Sequence, residues 1–215
     1  MIGVDEAGRG PVLGPLVVAG VRADDDTMAS LTSWGVKDSK LLSPKRRAEL
    51  AENIRDACEV HTVVFPAPDI DAERCHQSLN AIERRLFGDV ILMFDDVTDV
   101  IVVDCCDTME ERFGSLLAKE VGKEIVSRHG ADRAFPVVAA ASIIAKTVRD
   151  HEMACLSEEA VARWGIPTGS GYPSDPATVR FLEAFGPQDA LPPFVRKSWK
   201  TVTRRGQLTL DAYDE

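Results

Sequence analysis

The segment Gly3-Val4-Asp5-Glu6-Ala7-Gly8-Arg9-Gly10-Pro11 places two adjacent carboxylates against a glycine-rich turn that carries one arginine. On a regular strand, neighbouring side chains point to opposite faces. For Asp5 and Glu6 to reach one cation the strand is therefore expected to end or bulge there, which the glycines permit. The same glycines let a phosphate or a sugar approach the backbone, and Arg9 adds a charged donor. A dinucleotide-binding loop does not fit. After Gly8-Arg9-Gly10 the next glycine is Gly14, outside the required spacing, and Pro11 removes an N–H. Asp104 follows the apolar run Val100-Ile101-Val102-Val103, at the expected carboxyl end of a buried strand, where α/β proteins place their ligands. Read alone it caps the next loop equally well, and Asp107 competes with it for a metal role. Asp132 lies between a short strand and an alanine-rich helix; read alone it is a turn residue. Carboxylates with open positions suit Mg²⁺ or Mn²⁺. Two such ions activate a water and stabilise the leaving oxygen of a phosphodiester. No Ser-His-Asp or Cys-His constellation, and no zinc-ligand spacing, offers a rival chemistry.

The elements that must position these groups alternate between strand and helix. Ile2 to Val21 reads as strand, turn and strand. Ser43-Pro44 caps and opens a helix carrying Leu50, Ile54 and Ala57. His61 to Phe65 is β-rich, and Leu79, Ile82, Leu86 and Met93 form a helical stripe. Thr108 and Glu111 are spaced as a capping box for a helix ending near Val121. Glu124 to Ser127 is a further strand, and Val137 to about Val161 a long helix with Val137, Ala141, Ile144 and Val148 on one face. Gly169 to Pro173 is a loop, and Asp175-Pro176 opens a helix ending near Gly186. The pattern predicts α/β architecture with a mainly helical C-terminal region.

The chain has 215 residues, a net charge of −10 and a pI near 4.9. Nucleic-acid binders are usually basic, so this balance calls for a reason. Runs such as Asp24-Asp25-Asp26 and Asp95-Asp96 suggest a high-salt cytoplasm, where repulsion is screened within a few Å. The five cysteines form no paired framework and are expected as free thiols in a reducing compartment. No apolar run approaches the roughly 20 residues that span a bilayer, and no signal peptide is apparent. A cytoplasmic monomer without membrane contact is expected.

Taken together and in order, several segments resemble type 2 ribonuclease H, the ribonuclease HII family, in its archaeal form. They are Asp5-Glu6-Ala7-Gly8-Arg9-Gly10, Asp38-Ser39-Lys40, Asp104, Asp107 to Phe113, Ala139 to Lys146, Gly169 to Asp175 and Arg196-Lys197-Ser198-Trp199-Lys200. The resemblance runs from Gly3 to about Thr203. It implies a ribonuclease H-like fold, with a mixed five-stranded sheet flanked by helices. A catalytic core would occupy 1–150, a helical substrate-binding region 151–203 and a flexible tail 204–215. It implies Asp5, Glu6, Asp104 and Asp132 as ligands to Mg²⁺ or Mn²⁺, two ions acting in catalysis. It implies cleavage of the RNA strand of RNA–DNA hybrids and on the 5′ side of ribonucleotides embedded in duplex DNA, leaving 3′-hydroxyl and 5′-phosphate ends. Gly8, Arg9, Gly10 and Tyr172 would sense the 2′-hydroxyl, which is what separates RNA from DNA at a site.

Lys40 and Lys146 are expected to contact substrate. Arg149, like Lys146, could meet phosphates or simply face solvent, and Trp199 is expected to pack. In the tail, Gln207, Leu210 and Tyr213 are similar to the short peptide by which replication proteins dock on a sliding clamp, although Asp214 stands where a second aromatic is usual. Two other functions compete: a different nuclease of the same fold, and a catalytically silent hybrid-binding module. The Gly-Arg-Gly turn with Tyr172 speaks against the first, the intact carboxylates against the second.

Overall fold

The computed structural model describes residues 1–36, 42–95, 99–186 and 190–203. Their elements are β1 (Ile2–Ala7), β2 (Leu16–Arg22), α1 (Asp25–Ser33), α2 (Pro44–Ala57), β3 (Glu59–Phe65), α3 (Ala67–Arg74), α4 (Leu79–Ile91), β4 (Ile101–Asp104), α5 (Glu110–Val121), β5 (Ile125–Arg128), α6 (Ala131–Ala134), α7 (Pro136–Trp164) and α8 (Pro176–Glu183). They form two compact units. The first takes Met1–Ala7 and the described residues of Val17–Val64 and Ser78–Val148. The second takes Gly8–Leu16, Phe65–Gln77 and the described residues from Arg149 on. The Gly-Arg-Gly turn thus belongs to the unit that contains Tyr172.

In the first unit, five strands form one mixed sheet in the order β3-β2-β1-β4-β5. β1 pairs antiparallel with β2 and parallel with β4, and β4 pairs parallel with β5. This is the mixed five-stranded, helix-flanked sheet that the family resemblance implies. On one face, Val17, Ala19, Val21 and Val102 pack against Leu50 and Ile54 of α2 and the alanine-rich start of α7. Gly3 makes that packing possible: a Cβ there would come within 2.5 Å of the Val137 and Val138 backbone. The close approach sets the N-terminal turns of α7 directly on β1.

Most expected starts and stops hold, with differences at the ends. Ser43 caps α2 by accepting from the Arg46 N–H at 3.3 Å. The expected capping box at Thr108 does not form. α5 starts at Glu110, with Met109 in the cap position and no side-chain cap. Glu110 instead accepts from the His129 N–H at 2.6 Å. Met93 lies past the end of α4 and is exposed. No helix among the described residues is long and apolar enough to cross a membrane.

In the second unit the core gathers Val12, Leu13, Met153, Phe181, Phe194 and Val195. Leu13 and Val195 form an isolated antiparallel bridge. Phe181 stacks on Phe194 with centroids 5.8 Å apart, so the turn after Pro11 is anchored in aromatic packing.

Candidate functional site

Asp5 and Asp104 owe their placement to the parallel pair β1–β4. Its last partners are Val4 and Val103. The next residue on each strand is Asp5 and Asp104, so the two carboxylates leave adjacent parallel strands on the same face. Asp5 pairs with Ala19, whose side chain lies in the core beneath α7; Asp5 therefore points toward that helix, and Ser142 on α7 hydrogen-bonds to it. Asp5 is only 4% exposed. Burial first, then the charges of Glu6 and Asp104, push its carboxyl well above the usual range. The Glu6 N–H, donating to Asp5 Oδ1 at 2.7 Å, works in the opposite direction.

The strand neither ends nor bulges at Asp5-Glu6, contrary to the sequence expectation. β1 stays in register with β2 through Ala7, opposite Val17. What stops there is the pairing on the β4 side. Beyond Val4 the strand keeps one laddered edge, and Glu6 leaves from the other face while its charge still acts on Asp5.

Asp132 joins through α6. Asp104 Oδ1 accepts from the Ala131 N–H at 2.9 Å, which ties the end of β4 to the residue before Asp132. Gly130 enters α6 in the left-handed conformation. Asp132 is 2% exposed, and its Oδ1 has no hydrogen-bond partner. A buried carboxylate oxygen left without a donor is costly unless a cation or water meets it. Among the described residues, no three His, Cys, Asp or Glu side chains stand close enough to hold an ion as they are. The donor set nonetheless fits a hard divalent cation: all oxygen, mutually repelling, with the buried Asp132 Oδ1 lacking a donor.

Asp107 is not a rival. Arg112 Nη2 donates to both of its oxygens at 2.6 Å, and the Met109 N–H points at Oδ1 at 3.4 Å. That pairing holds its carboxyl far below the usual range; it closes the start of α5. Lys146 lies one turn after Ser142 on α7 and is half-buried.

In the second unit, Gly8 adopts φ 97°, and a Cβ there would strike Arg149 Nε and the Pro15 carbonyl at 2.7 and 2.6 Å. Only glycine serves at this position. Tyr172, 42% exposed, has its ring edge next to Gly10: a Cβ on Gly10 would lie 3.7 Å from Tyr172 Cε1. The Tyr172 loop is locked by Asp175. Its Oδ2 accepts from the Ser170 N–H and hydroxyl at 2.6 and 2.7 Å, and Oδ1 from the Ala177 N–H at 2.9 Å. The Ser170 bonds first, then that of Ala177, draw the Asp175 carboxyl down to about 2.

Arg149 is neither a solvated residue nor a surface phosphate contact. It is 5% exposed, and its Nη2 reaches the Leu13 and Ser170 carbonyls at 3.5 and 3.4 Å while the guanidinium lies 5.5 Å from the Tyr172 ring centre. Burial lowers its pKa. Sequence reasoning missed Ser142 and Arg196, although both lie inside the segments that carry the family resemblance. Trp199 does more than pack: its Nε1 donates to the Gly10 carbonyl at 3.3 Å. Lys40, Gln207, Leu210 and Tyr213 lie outside the described residues.

A family model described as Ribonuclease HII matches residues 2–202. A ribonuclease HII of Methanococcoides burtonii is 44% identical over 214 residues, covering 95% of this chain and 98% of that protein. Among solved structures, the Archaeoglobus fulgidus ribonuclease HII, seen in complex with PCNA, superposes with a TM-score of 0.85 at 39% identity, covering 93% of this chain and 94% of that one. Ribonuclease H2 from Pyrococcus horikoshii also reaches 0.85, at 36% identity, covering 96% of this chain and 97% of that one.

Proposed function

The chain belongs to the ribonuclease HII family of metal-dependent endoribonucleases, which cleave the RNA of RNA–DNA hybrids, and from that premise we propose that it also cuts on the 5′ side of single ribonucleotides embedded in duplex DNA. The observation that carries the catalytic part is the crowding of Asp5, Glu6 and Asp104 at the carboxyl end of β1–β4, with Asp132 joined through the Ala131 N–H.

These four carboxylates would hold Mg²⁺ or Mn²⁺, two ions during turnover. When bound, the ions lower the pKa of the attacking water and neutralise charge on the phosphate. Ser142 fixes the direction of Asp5, and the Ala131 N–H fixes that of Asp104. Such pre-set orientation is what makes a catalytic group effective. Water gives up one proton as its oxygen bonds to phosphorus, the bond from phosphorus to the preceding O3′ breaks, and O3′ takes up one proton in return. The products are a 3′-hydroxyl and a 5′-phosphate.

The Gly8-Arg9-Gly10 backbone and Tyr172 recognise the ribose. The support is their proximity within one unit, the ring edge of Tyr172 lying beside Gly10. Lys40 and Lys146 add phosphate contacts. The A. fulgidus relative is in complex with PCNA, which supports a sliding-clamp partner here, with Gln207, Leu210 and Tyr213 as the docking residues. The enzyme then works as a cytoplasmic monomer in replication and ribonucleotide excision repair. Its net charge of −10 is a salt adaptation, long-range repulsion from nucleic acid being screened.

The test is turnover of a DNA duplex holding one ribonucleotide, with Mg²⁺ or Mn²⁺, and mapping of the product ends. A single cut 5′ of the ribonucleotide is expected. Cleavage of an all-DNA junction instead would favour a different nuclease of this fold, and binding without cleavage a silent module.

A further inference from the structure

Five carbonyls of the turn from Gly8 to Gly14 accept from later residues of the same unit. The Arg9 carbonyl accepts from Arg196 Nη1 at 3.4 Å, that of Gly10 from Trp199 Nε1 at 3.3 Å and that of Leu13 from Arg149 Nη2 at 3.5 Å. The carbonyls of Val12 and Gly14 accept from the Arg196 N–H at 2.8 Å and from Arg196 Nε at 2.9 Å. Arg196 alone therefore holds the turn at Arg9, Val12 and Gly14. It is 0% exposed. Among the described residues no carboxylate stands within ion-pair distance of it; its guanidinium stacks on Trp199 at 4.8 Å. Burial, and then repulsion from Arg149, lower its pKa to about 9, still high enough to keep the group charged at neutral pH. A fully buried cation bonded to carbonyls alone is an expensive way to brace a loop.

The peptide plane explains what the brace achieves. The described peptide bonds are trans, and in a trans peptide the carbonyl and the following N–H point in opposite directions. Drawing the Arg9 carbonyl onto Arg196 turns the Gly10 N–H the other way. The neighbouring donors do not compete: Pro11 has no N–H, those of Val12 and Leu13 go to the Gly171 carbonyl, and that of Gly14 goes to Phe194. We propose that Arg196 is a positioning residue that sets the discrimination of ribose from deoxyribose, by fixing the Arg9–Gly10 peptide so that its N–H is presented to the 2′-hydroxyl. This rests on the reading of Gly8-Arg9-Gly10 and Tyr172 as the ribose-recognising group. Lysine cannot replace it. One ammonium does not reproduce a planar fork that spans two carbonyls while stacking on an indole.

The experiment compares full-length parent and Arg196→Lys on two duplexes that differ only at one 2′ position, hydroxyl against fluorine, with kcat and KM measured separately and thermal unfolding followed alongside. The parent should prefer the hydroxyl strongly, because a site built to bond a hydroxyl rejects an analogue lacking it. Arg196→Lys should narrow that preference by about tenfold or more, a loss of about 1.4 kcal/mol of discrimination. If both substrates slow in proportion and the preference stays intact, Arg196 only supports the fold and the inference is overturned. Should Arg196→Lys fail to fold, Trp199→Phe keeps an aromatic ring but loses the bond to the Gly10 carbonyl; it should narrow the preference less, and an unchanged preference there also overturns the inference. A parent that shows no preference for the hydroxyl would instead bring down the ribose-sensing reading itself, and this inference with it.

Discussion

Replacing Asp104 by asparagine should move activity and stability in opposite directions. The amide side chain retains a carbonyl oxygen to accept from the Ala131 N–H, a bond of 2.9 Å in the parent, so the end of β4 and α6 should stay in place. What disappears is one negative charge beside Asp5. A divalent ion held about 4 Å from that charge loses roughly 4 kcal/mol of attraction per unit charge at an effective dielectric near 20. For a doubly charged ion that is roughly 8 kcal/mol; relief of carboxylate repulsion returns about 3 kcal/mol of it, so at least about 3 kcal/mol is lost, or at least about 10²-fold in rate. Cleavage of a hybrid at saturating Mg²⁺ should therefore fall by at least about 10²-fold, with duplex binding kept.

Without metal the sign reverses. Asp5 has a folded pKa above its ordinary value, so the native state binds more protons than the unfolded one, and Asp5 lowers stability as pH rises through that range. Carboxylates on adjacent strands, about 5 Å apart, repel by roughly 3 kcal/mol at that dielectric. In EDTA at pH 8, Asp104→Asn should melt a few degrees above the parent, and the difference should shrink as pH is lowered toward 4 and Asp5 takes its proton. Calorimetry with and without metal, beside a cleavage assay, checks both halves. Near-normal turnover, or a lower melting temperature in EDTA, would refute the placement of Asp104 in a charge-crowded metal site.

Tyr172→Ala should lower cleavage at a single embedded ribonucleotide by roughly tenfold or more, stacking being worth about 1–3 kcal/mol; parental rates would make Tyr172 a loop residue only. Asp175→Asn should destabilise the second unit, because Asp175 holds Ser170 and Ala177. With the folded pKa depressed to about 2, that stability is present above the unfolded value near 4 and lost as pH falls through 2, so parent and variant melting curves should converge there. A chain ending at Gly206 should lose the heat of binding to the cognate clamp in calorimetry at matched high salt; equal heats for both chains would exclude the tail as the docking peptide. Activity should persist in molar salt; a rate highest in dilute buffer and abolished at about 2 M would contradict a salt-adapted surface.

The sheet was legible because its strands carry dense apolar runs, and Asp104 was placed by the single fact that it follows one of them. The Asp5-Glu6 pair was legible as a concentration of charge but not as geometry. The rule that neighbouring strand residues diverge called for a break in β1. The structure keeps β1 intact to Ala7 and ends its pairing with β4 at Val4–Val103 instead. Where a neighbouring strand stops is a tertiary fact that local spacing does not contain. Asp107 illustrates the converse. Its place three residues after Asp104 suggested a ligand, but Arg112, five residues further on, pairs with it, an arrangement set by how the β4–α5 loop turns.

The arginines were the least legible, for a physical reason. Hydrophobic patterning ranks a charged residue as outward-facing, yet Arg149 and Arg196 are buried and bond to backbone carbonyls, which leave no trace in side-chain patterns. Their burial also bears on the acidity of the chain. A net charge of −10 repels nucleic acid at long range, and salt screens that repulsion over a few Å. Screening is far weaker for charges removed from solvent, so two buried guanidiniums beside the Gly8–Gly14 turn keep their field where exposed lysines would lose theirs. An acidic surface and a positively charged interior beside this turn are thus compatible in one chain, provided that the cations are held inside rather than displayed.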